Sequence, residues 1–180
     1  MSDTIDILCA IDAEDILSQY PNPSQNSGSP TGVSANLIYM IVQQGSAISG
    51  NGQGELNISA NIGDNIRWRE TSLSLNFEYS VQFYNFSSSS QDLITLPPVL
   101  VGGVNNDGTL AEVQEAMPKH VSGAPPWLPT SVNNTPYHYW QSTAQEAGNE
   151  TYHWQFLIAD SNGNVQGYFQ WDPYITISQP

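Results

Sequence analysis

The last third of the chain contains two stretches of alternating apolar and polar residues, with an Asn-Gly pair between them. Alternation with a period of two predicts β-strands with one buried face, and Asn-Gly is a strong signal for a tight hairpin. The apolar rows are Tyr152, Trp154, Phe156 and Ile158 in the first strand, and Phe169, Trp171, Ile175 and Ile177 in the second. A two-residue turn at Asn162-Gly163 brings the two rows onto one face. The sequence therefore predicts a hairpin that pairs Trp154 with Trp171 and Phe156 with Phe169.

The dipeptide Asp172-Pro173 interrupts the second of these strands. Proline has no N–H to donate to a β-ladder, so within sheets it is found mainly at edges, strand starts and bulges. The alternation runs on unbroken to Ile177, so no one-residue bulge is expected. We therefore expect pairing with the strand of Tyr152 to end at Pro173, and the remaining residues to continue against another strand or along an edge.

The same alternation recurs through the chain and predicts a fold built mainly from strands. Predicted strands include Ile5–Ile11, Asn36–Gln44, Ile66–Arg69 and Leu73–Phe83. Asn36–Gln44 is apolar on both faces, which is typical of a central strand. In Ile66–Arg69 the two arginines face away from Ile66 and Trp68. Leu110–Met117 fits either a helix or a strand.

One short helix is predicted after Asp12, which is a suitable N-cap, and the acids that follow favour the positive end of the helix dipole. Pro21 ends it. Pro118–Pro136 is predicted to be a long loop whose Trp127 either closes the end of the fold or stacks on a sugar. Short strands, one helix and Gly/Pro-rich turns predict a single all-β domain over residues 1–180. Its expected architecture is an antiparallel β-sandwich of the jelly-roll or immunoglobulin-like kind.

The charge balance narrows the classes of partner. The chain has seventeen acidic residues and three basic ones (Arg67, Arg69 and Lys119), which gives a net charge of −14. Nucleic acids and anionic membranes are bound through clusters of Lys and Arg, so neither is expected as a partner. Only 11% of the residues are charged. A surface of Ser, Asn, Gln and Thr suits hydrogen-bonded contacts with further copies of the chain or with sugars.

Two features of the sequence bear on location. No apolar run approaches the roughly 18 residues that suggest a membrane-spanning helix. The first residues, MSDTIDIL, are acidic where a signal peptide is basic. We therefore expect a cytoplasmic protein, or one that is released without a signal peptide.

Candidate catalytic groups are few. The predicted hairpin register places His153 opposite Asp172, and such a pair can orient an imidazole as a general base. No Gly-x-Ser-x-Gly motif supplies a nucleophile, so an exposed cross-strand pair explains these two residues more simply. Cys9 lies in an apolar row and is interpreted as a core residue. No catalytic residue is therefore assigned.

Metal and cofactor sites are not expected either. The three histidines, His120, His138 and His153, lack the spacing of zinc ligands. Asp160, Asn162 and Asn164 resemble the first half of a calcium loop, but the glycine at the sixth position and the distal Glu of such a loop are missing. The hairpin turn explains the same three residues without a metal ion.

Five blocks in order resemble the bacterial inclusion-body protein family known as PixA or AidA. They are IDILCAID at Ile5–Asp12, YMIVQQ at Tyr39–Gln44, GDNIRWR at Gly63–Arg69, YWQ at Tyr139–Gln141 and FQWDPYITI at Phe169–Ile177. The resemblance runs essentially from end to end. It implies accumulation as cytoplasmic inclusions in bacteria, and for AidA-like relatives control by autoinducer signals and an association with hosts. It implies no enzymatic activity, cofactor or site residue.

The function expected from the residues and the resemblance is a non-enzymatic, self-associating inclusion-body protein that forms homo-oligomers. A lectin-like carbohydrate-binding module is the alternative, because Trp, Tyr and Asn are abundant and sandwiches often bind sugars at their loops. A hydrolase that uses His153 and Asp172 is a third reading.

Overall fold

The computed structural model describes residues 2–88, 93–96, 98–101, 112–118 and 130–179. Within them lie fourteen strands, one α-helix and short 3-10 helices at Ala35–Leu37 and Gln44–Ser46. The elements in chain order are β1 (Thr4–Ile11), α1 (Ala13–Gln19), β2 (Thr31–Gly32), β3 (Ile38–Ile41), β4 (Ala47–Ser49), β5 (Asn57–Asn61), β6 (Asn65–Ser72), β7 (Tyr79–Ser88), β8 (Val99–Val101), β9 (Glu112–Pro118), β10 (Thr130–Pro136), β11 (Tyr139–Thr143), β12 (Gly148–Asp160), β13 (Val165–Trp171) and β14 (Tyr174–Ser178).

The chain divides into two compact units. The larger comprises Met1–Val99 and Trp140–Pro180, and the smaller comprises Leu100–Tyr139. β8 crosses the boundary between them. The expectation of a single domain over residues 1–180 stays a prediction.

The smaller unit contains an antiparallel ladder between β9 and β10. Leu110–Met117, left open between helix and strand, is a strand from Glu112 onward. The prediction of a loop over Pro118–Pro136 is wrong for Thr130–Pro136, which is β10. Pro118 and Pro136 occupy the two ends of this ladder, where a missing N–H is most easily tolerated. Trp127 lies outside the described residues.

The larger unit contains two sheets. The first has the order β3-β1-β6-β11, and the second has the order β2-β13-β12-β14-β5-β4, with β7 on the other side of β12. An all-β sandwich with one short N-terminal helix is confirmed, but the sheets are mixed rather than purely antiparallel. β1 pairs with β6 in parallel, as do β13 with β2 and β14 with β5. The long connection between β1 and β6 permits a parallel crossover, which a short turn cannot.

Aromatic side chains join the two sheets in the core. Trp68 of β6 is fully buried, and its ring lies 5.8 Å from that of Tyr152 and 5.6 Å from that of Trp154, both in β12. Its indole nitrogen donates a hydrogen bond to the hydroxyl oxygen of Tyr152 at 3.1 Å. Trp154 also stacks on Phe83 of β7, with ring centroids 4.6 Å apart. Because large rings dominate the buried area of a core, β6 and β12 hold the sandwich together.

The helix α1 forms where the sequence predicts it. The carboxylate of Asp12 accepts a hydrogen bond from the backbone N–H of Asp15 at 3.1 Å, which satisfies one free donor of the first turn. Ile16 is fully buried against the core, and Leu17 and Tyr20 pack at its margin.

The predicted aromatic pairs of the last hairpin are confirmed, but its predicted turn is wrong. β12 and β13 pair Trp154 with Trp171 and Phe156 with Phe169. The loop has three residues rather than two, because the backbone N–H of Asp160 bonds to the carbonyl of Asn164 at 3.0 Å. Gly163 takes φ +80°, as such loops require. A register shift beside Ile158 compensates for the extra residue and returns both apolar rows to the core.

Pro173 does not end the pairing with β12, contrary to expectation. The backbone N–H of Tyr152 bonds to the carbonyl of Pro173 at 3.0 Å, and the same register continues from Tyr174 opposite Thr151 to Ile177 opposite Gly148. The proline removes one donor, but the buried Ile177 keeps its place only if the register is preserved. What changes at Pro173 is the neighbour on the other side, which is β2 beside β13 and β5 beside β14.

Two other strand predictions are corrected. Asn36–Gln44 supplies β3, which borders the first sheet and is not central among the described strands. Beyond β3, the Asn51 side chain bonds to both the N–H and the carbonyl of Val42, at 3.1 and 3.0 Å. Leu73–Phe83 forms a strand only from Tyr79, and the residues before it form a loop. In both places apolar residues that resembled core are exposed to solvent.

Candidate interaction surfaces

The outer face of the first sheet carries apolar side chains where a solvent-facing sheet is usually polar. Leu8 in β1 lies between Ile41 in β3 and Arg69 in β6, and one row further along the sheet Ala10 lies between Tyr39 and Thr71. The large apolar side chains of these rows, Leu8, Tyr39 and Ile41, are all exposed. We call Leu8, Ala10, Tyr39 and Ile41 the apolar face.

Two of the three basic residues of the chain border this face. Arg67 and Arg69 point outward from β6, while Ile66 and Trp68, which alternate with them, are buried, as predicted. The Nε of Arg67 donates to Oε1 of Gln141 at 2.9 Å, and its Nη1 lies 3.8 Å from Oδ1 of Asp6. An ion pair this exposed contributes little to stability. The third basic residue, Lys119, lies outside the described residues.

The loop Leu73–Glu78 between β6 and β7, which we call the β6–β7 loop, continues the apolar face. Leu73 follows β6 and is four residues after Arg69, so it continues the outward-facing side of that strand. Its N–H donates a hydrogen bond to the carbonyl of Ile11 at 2.9 Å. Leu75 and Phe77 are 73% and 77% exposed. Exposure of several large apolar side chains in one place marks a contact surface in soluble proteins.

A hydrogen-bond network holds this loop in a strained conformation. Leu75 and Asn76 have φ values of 54° and 61°, which costs a leucine about 1–2 kcal/mol. The buried Ser72 accepts a bond from the Asn76 N–H at 2.8 Å and donates to the carbonyl of Tyr79 at 2.6 Å. The Asn76 side chain accepts from the Ser72 N–H at 3.2 Å. Strain maintained in this way points to a functional role for the loop.

Acidic residues lie beside the loop. A cavity of about 260 Å³ is lined by Asp12, Ala13 and Glu14 at the start of α1 and by Leu73 and Ser74 of the loop. Glu78, at the other end of the loop, is exposed. The outer surface of the first sheet therefore has an arginine-bearing part, an apolar middle and an acidic part.

The outer face of the second sheet is polar and nearly uncharged. A row of amides crosses three strands, from Asn85 in β7 to Gln155 in β12 and Gln170 in β13. The Asn85 amide donates to Gln155 at 2.9 Å, and the Gln155 amide donates to Gln170 at 3.4 Å. Such a row satisfies its own hydrogen bonds in place.

The same sheet carries a shallow groove. It has a volume of about 330 Å³ and runs over β12, β14 and β5, and its lining includes Asn57, Asn149, Thr151, Tyr174 and Thr176. The Thr176 hydroxyl donates to the Asn57 side chain at 3.1 Å. Tyr174 is exposed. Amides, hydroxyls and one exposed ring are groups that can hydrogen-bond to and stack on a sugar.

The candidate pair His153 and Asp172 does not form a catalytic dyad in the part of the chain that the structure describes. The β12 register is the same on both sides of these residues, so they face each other across the hairpin. No hydrogen bond or ion pair is found between their side chains, and Asp172 is exposed. Ser87 of β7 lies opposite His153 on its other side, but no hydrogen bond to Asp172 holds the imidazole, so the geometry does not orient it as a base.

The carboxylate of Asp160 is engaged by its own hairpin. Oδ1 accepts hydrogen bonds from the N–H groups of Asn162 and Asn164, both at 2.9 Å, and Oδ2 accepts one from the Asn164 amide at 3.0 Å. These bonds lower the pKa of Asp160, the Asn164 side chain contributing most. The hydrogen bonds favour the hairpin explanation of these residues over a calcium loop.

Other candidate ligands are scattered. His138 belongs to the smaller unit, and His120 lies outside the described residues. No group of three His, Cys, Asp or Glu residues able to hold a metal ion occurs among the residues that the structure describes. Nor does any helix in the described part have the length and apolarity needed to span a membrane.

Cys9 is a core residue, as predicted. It is fully buried, and burial, together with nearby Glu70, raises its pKa well above the ordinary value. A thiol in that state is a poor nucleophile. Glu70 is itself buried and accepts a hydrogen bond from the N–H of Phe83 at 3.1 Å, which links β6 of the first sheet to the border strand β7 of the second.

The apolar face and the β6–β7 loop were not identified as a surface from the sequence. A signal was present at Leu8 and at Tyr39 and Ile41, which are apolar residues at the parity of the polar or outward side of their strands. For Tyr39 and Ile41 the pattern predicts a central strand that is covered on both faces, whereas the structure exposes them.

Comparison with known proteins adds a family and a fold. The family model described as PixA, inclusion body protein, matches residues 3–177. A crystal structure of a PixA inclusion body protein from Burkholderia cenocepacia J2315 is similar, with a TM-score of 0.77 and 24% identity over 98% of this chain and 97% of that one. At that identity the likeness establishes the fold alone.

A cysteine protease inhibitor from Entamoeba histolytica is also matched, with 10% identity over 68% of this chain and 86% of that one, but its TM-score of 0.23 is too low to support any argument. No curated protein matches the chain. The match that spans residues 3–177 decides the matter: this chain belongs to the PixA family of inclusion body proteins.

Proposed function

We infer that this chain is a non-enzymatic protein that associates with itself and accumulates as cytoplasmic inclusions in bacteria. The observation that carries the proposal is the concentration of exposed apolar side chains on the apolar face and the β6–β7 loop. A protein that stays monomeric at high concentration rarely leaves such residues together in solvent. The family description, inclusion body protein, supports the same function.

The composition of the surface also supports this proposal. With three Lys and Arg residues in 180, few long charged side chains must be ordered when copies meet. Each such side chain that is immobilised costs about 1.5–2 kcal/mol of conformational entropy. The net charge of −14 opposes association at neutral pH, so contacts should strengthen as the pH falls towards the isoelectric point of 4.1.

The test is a concentration series of the purified chain by sedimentation velocity and by size-exclusion chromatography with light scattering. The proposal expects a mass that rises with concentration, and a larger rise at pH 5 than at pH 8. A strict monomer at both pH values and at the highest soluble concentration would contradict it. Fluorescence microscopy of a tagged chain in the bacterium that produces it then tests whether inclusions form.

Autoinducer control and an association with a host are parts of the same proposal, and they rest on the family resemblance. Transcript levels of this gene in the producing bacterium, with and without its autoinducer synthase, test autoinducer control. Detection of the intact protein outside cells whose membranes are whole tests release without a signal peptide.

A lectin-like module is the second candidate function, and the groove over β12, β14 and β5 favours it. Tyr174 supplies a ring, and the neighbouring amides and hydroxyls supply donors and acceptors. A glycan array with Tyr174→Ala as a matched variant separates the two functions. Competable binding that is lost in the variant supports a lectin, and silence of the wild-type protein on the array removes it.

A further inference from the structure

We propose that the apolar face and the β6–β7 loop together form a two-fold interface with a second copy of this chain. The proposal rests on the self-association inferred above and gives that association a surface. Each copy would lay its loop, with Leu75 and Phe77 outermost, across the row of Leu8 and Ile41 on the other.

Exposure and continuity single out this surface. Leu73 joins the loop to the sheet, because its N–H bonds to Ile11 of β1. Leu8, Tyr39, Ile41, Leu73, Leu75 and Phe77 account for six of the ten large hydrophobic side chains that are exposed among the described residues. Covering them removes apolar area from water, which is the main driving force of association.

Charge selects a second copy of the same chain as the occupant. One part of the surface bears Arg69 and Arg67, with Asp6 beside Arg67, and the other bears Asp12, Glu14 and Glu78. A two-fold rotation places the acidic part of each copy on the arginine part of its partner. Because two chains of net charge −14 repel each other elsewhere, this is the orientation that the charges favour.

The loop is prepared for such a contact. The bonds from Ser72 and Asn76 fix the loop backbone before any partner arrives. A surface that is already ordered loses less entropy on binding than a flexible one. The interface is small, a sheet face and one loop, so we expect a weak, concentration-dependent dimer with a dissociation constant of about micromolar or above.

A matched pair of isoleucines tests the location. Ile41 and Ile48 are 48% and 52% exposed, and both lie on strands, but Ile48 belongs to β4 of the second sheet. By sedimentation velocity, Ile41→Thr and Phe77→Ser should each raise the dimer dissociation constant about tenfold or more, and Ile48→Thr should change it less than about threefold. Thermal unfolding of each variant shows whether the fold is intact.

A charge exchange tests the orientation. Arg69→Glu and Glu78→Arg should each weaken dimerisation about tenfold, because each places like charges together across the two-fold axis. The double variant restores opposite charges and should recover an affinity within about threefold of the wild type. A double variant no better than either single one would overturn the two-fold arrangement.

The outcomes separate the two proposals. If the wild-type chain is a monomer at every concentration, the proposed self-association itself fails. If the wild type associates but Ile41→Thr, Phe77→Ser and Ile48→Thr all behave alike, self-association stands and this interface is wrong.

Discussion

The two sheets of the larger unit have similar inner faces but different outer faces. Inside, both contribute large buried aromatic and aliphatic side chains, such as Trp68 and Trp154. Outside, the first sheet presents Leu8 and Ile41 beside Arg69, whereas the second presents a row of amides through Gln155. The fold fixes the inner faces, because the core must be dry and closely packed. The outer faces are free to differ, and the proposed interface rests on that difference.

The largest expected effect comes from truncating a core side chain that packs against both sheets. Trp154 is fully buried and packs against Trp68 of the first sheet and Phe83 of the second. We expect Trp154→Ala to lower the free energy of unfolding by about 3–5 kcal/mol, measured by chemical denaturation. Trp154→Phe keeps most of the contact and should cost clearly less. A loss well below about 3 kcal/mol in Trp154→Ala would contradict a central role for this ring.

A smaller effect is expected from the support of the β6–β7 loop. Ser72→Ala removes a buried hydroxyl that bonds to the Asn76 N–H and the Tyr79 carbonyl. Because the Asn76 N–H loses its partner and the Tyr79 carbonyl keeps only the longer bond from the Ser74 hydroxyl at 3.3 Å, the variant should be less stable by about 1–3 kcal/mol. It should also associate more weakly, since the loop is no longer ordered. A loss of stability with unchanged association would separate the loop from the interface.

Leu75→Gly should change stability and association in opposite directions. Glycine adopts the φ of 54° found at this position without the steric penalty that leucine incurs, so we expect about 1 kcal/mol of added stability. The same change removes an exposed apolar side chain from the proposed interface and should weaken dimerisation. Denaturation and sedimentation velocity on the same sample measure both effects. A stabilised variant that dimerises as well as the wild type would exclude Leu75 from the contact.

On the second sheet, Gln155→Ala breaks the row of amides at its centre. The lost bonds to Asn85 and Gln170 are partly open to solvent, so we expect a cost of about 0.5–1 kcal/mol. Dimerisation should be unchanged, because this face is not part of the interface. Weaker dimerisation in Gln155→Ala would reverse the roles assigned to the two outer faces.

The smallest effect concerns the hairpin that ends β12. The pKa of Asp160 is lowered in the folded chain by bonds from Asn164. A depressed folded pKa contributes stability above the unfolded value of about 3.9, and that contribution is lost as the pH falls through the folded pKa. Asp160→Asn should therefore flatten the fall in stability below about pH 4, measured by denaturation at pH 6, 4 and 3. An unchanged acid profile would show that this carboxylate does not contribute.

Parity and turn signals predicted a good part of the fold. The apolar rows through Trp154 and Trp171 fixed which residues face each other, because a slip of one position turns every side chain to the wrong face. The same rule predicted that Arg67 and Arg69 point away from the core. The helix after Asp12 followed from local capping chemistry.

The alternation of apolar and polar residues did not reveal where a strand ends, or which side of it is buried by other parts of the chain. The alternation from Leu73 to Phe83 passes through the β6–β7 loop without a visible break, because exposed loop residues can alternate as well as buried ones. The prediction for the hairpin turn failed for another reason. The longer loop adds one residue, and the register shift beside Ile158 compensates for it. Together the two changes leave the aromatic pairs as predicted. The candidate interface lies on the outer side of β1 and β3 and in the β6–β7 loop, and the alternation shows neither that these side chains are exposed nor that Leu73–Glu78 is a loop.

The position of β14 has a consequence for the newly made chain. This strand lies between β12 and β5, and it joins them into one sheet. During synthesis β5 and β12 therefore leave the ribosome before the strand that pairs with both, and each has an open edge until Tyr174–Ser178 follows. Open edges are templates for pairing with other chains, and such pairing competes with folding at high local concentration. Rapid synthesis of many copies at one place would favour aggregation of incomplete chains over their folding into separate molecules, even before the finished proteins meet.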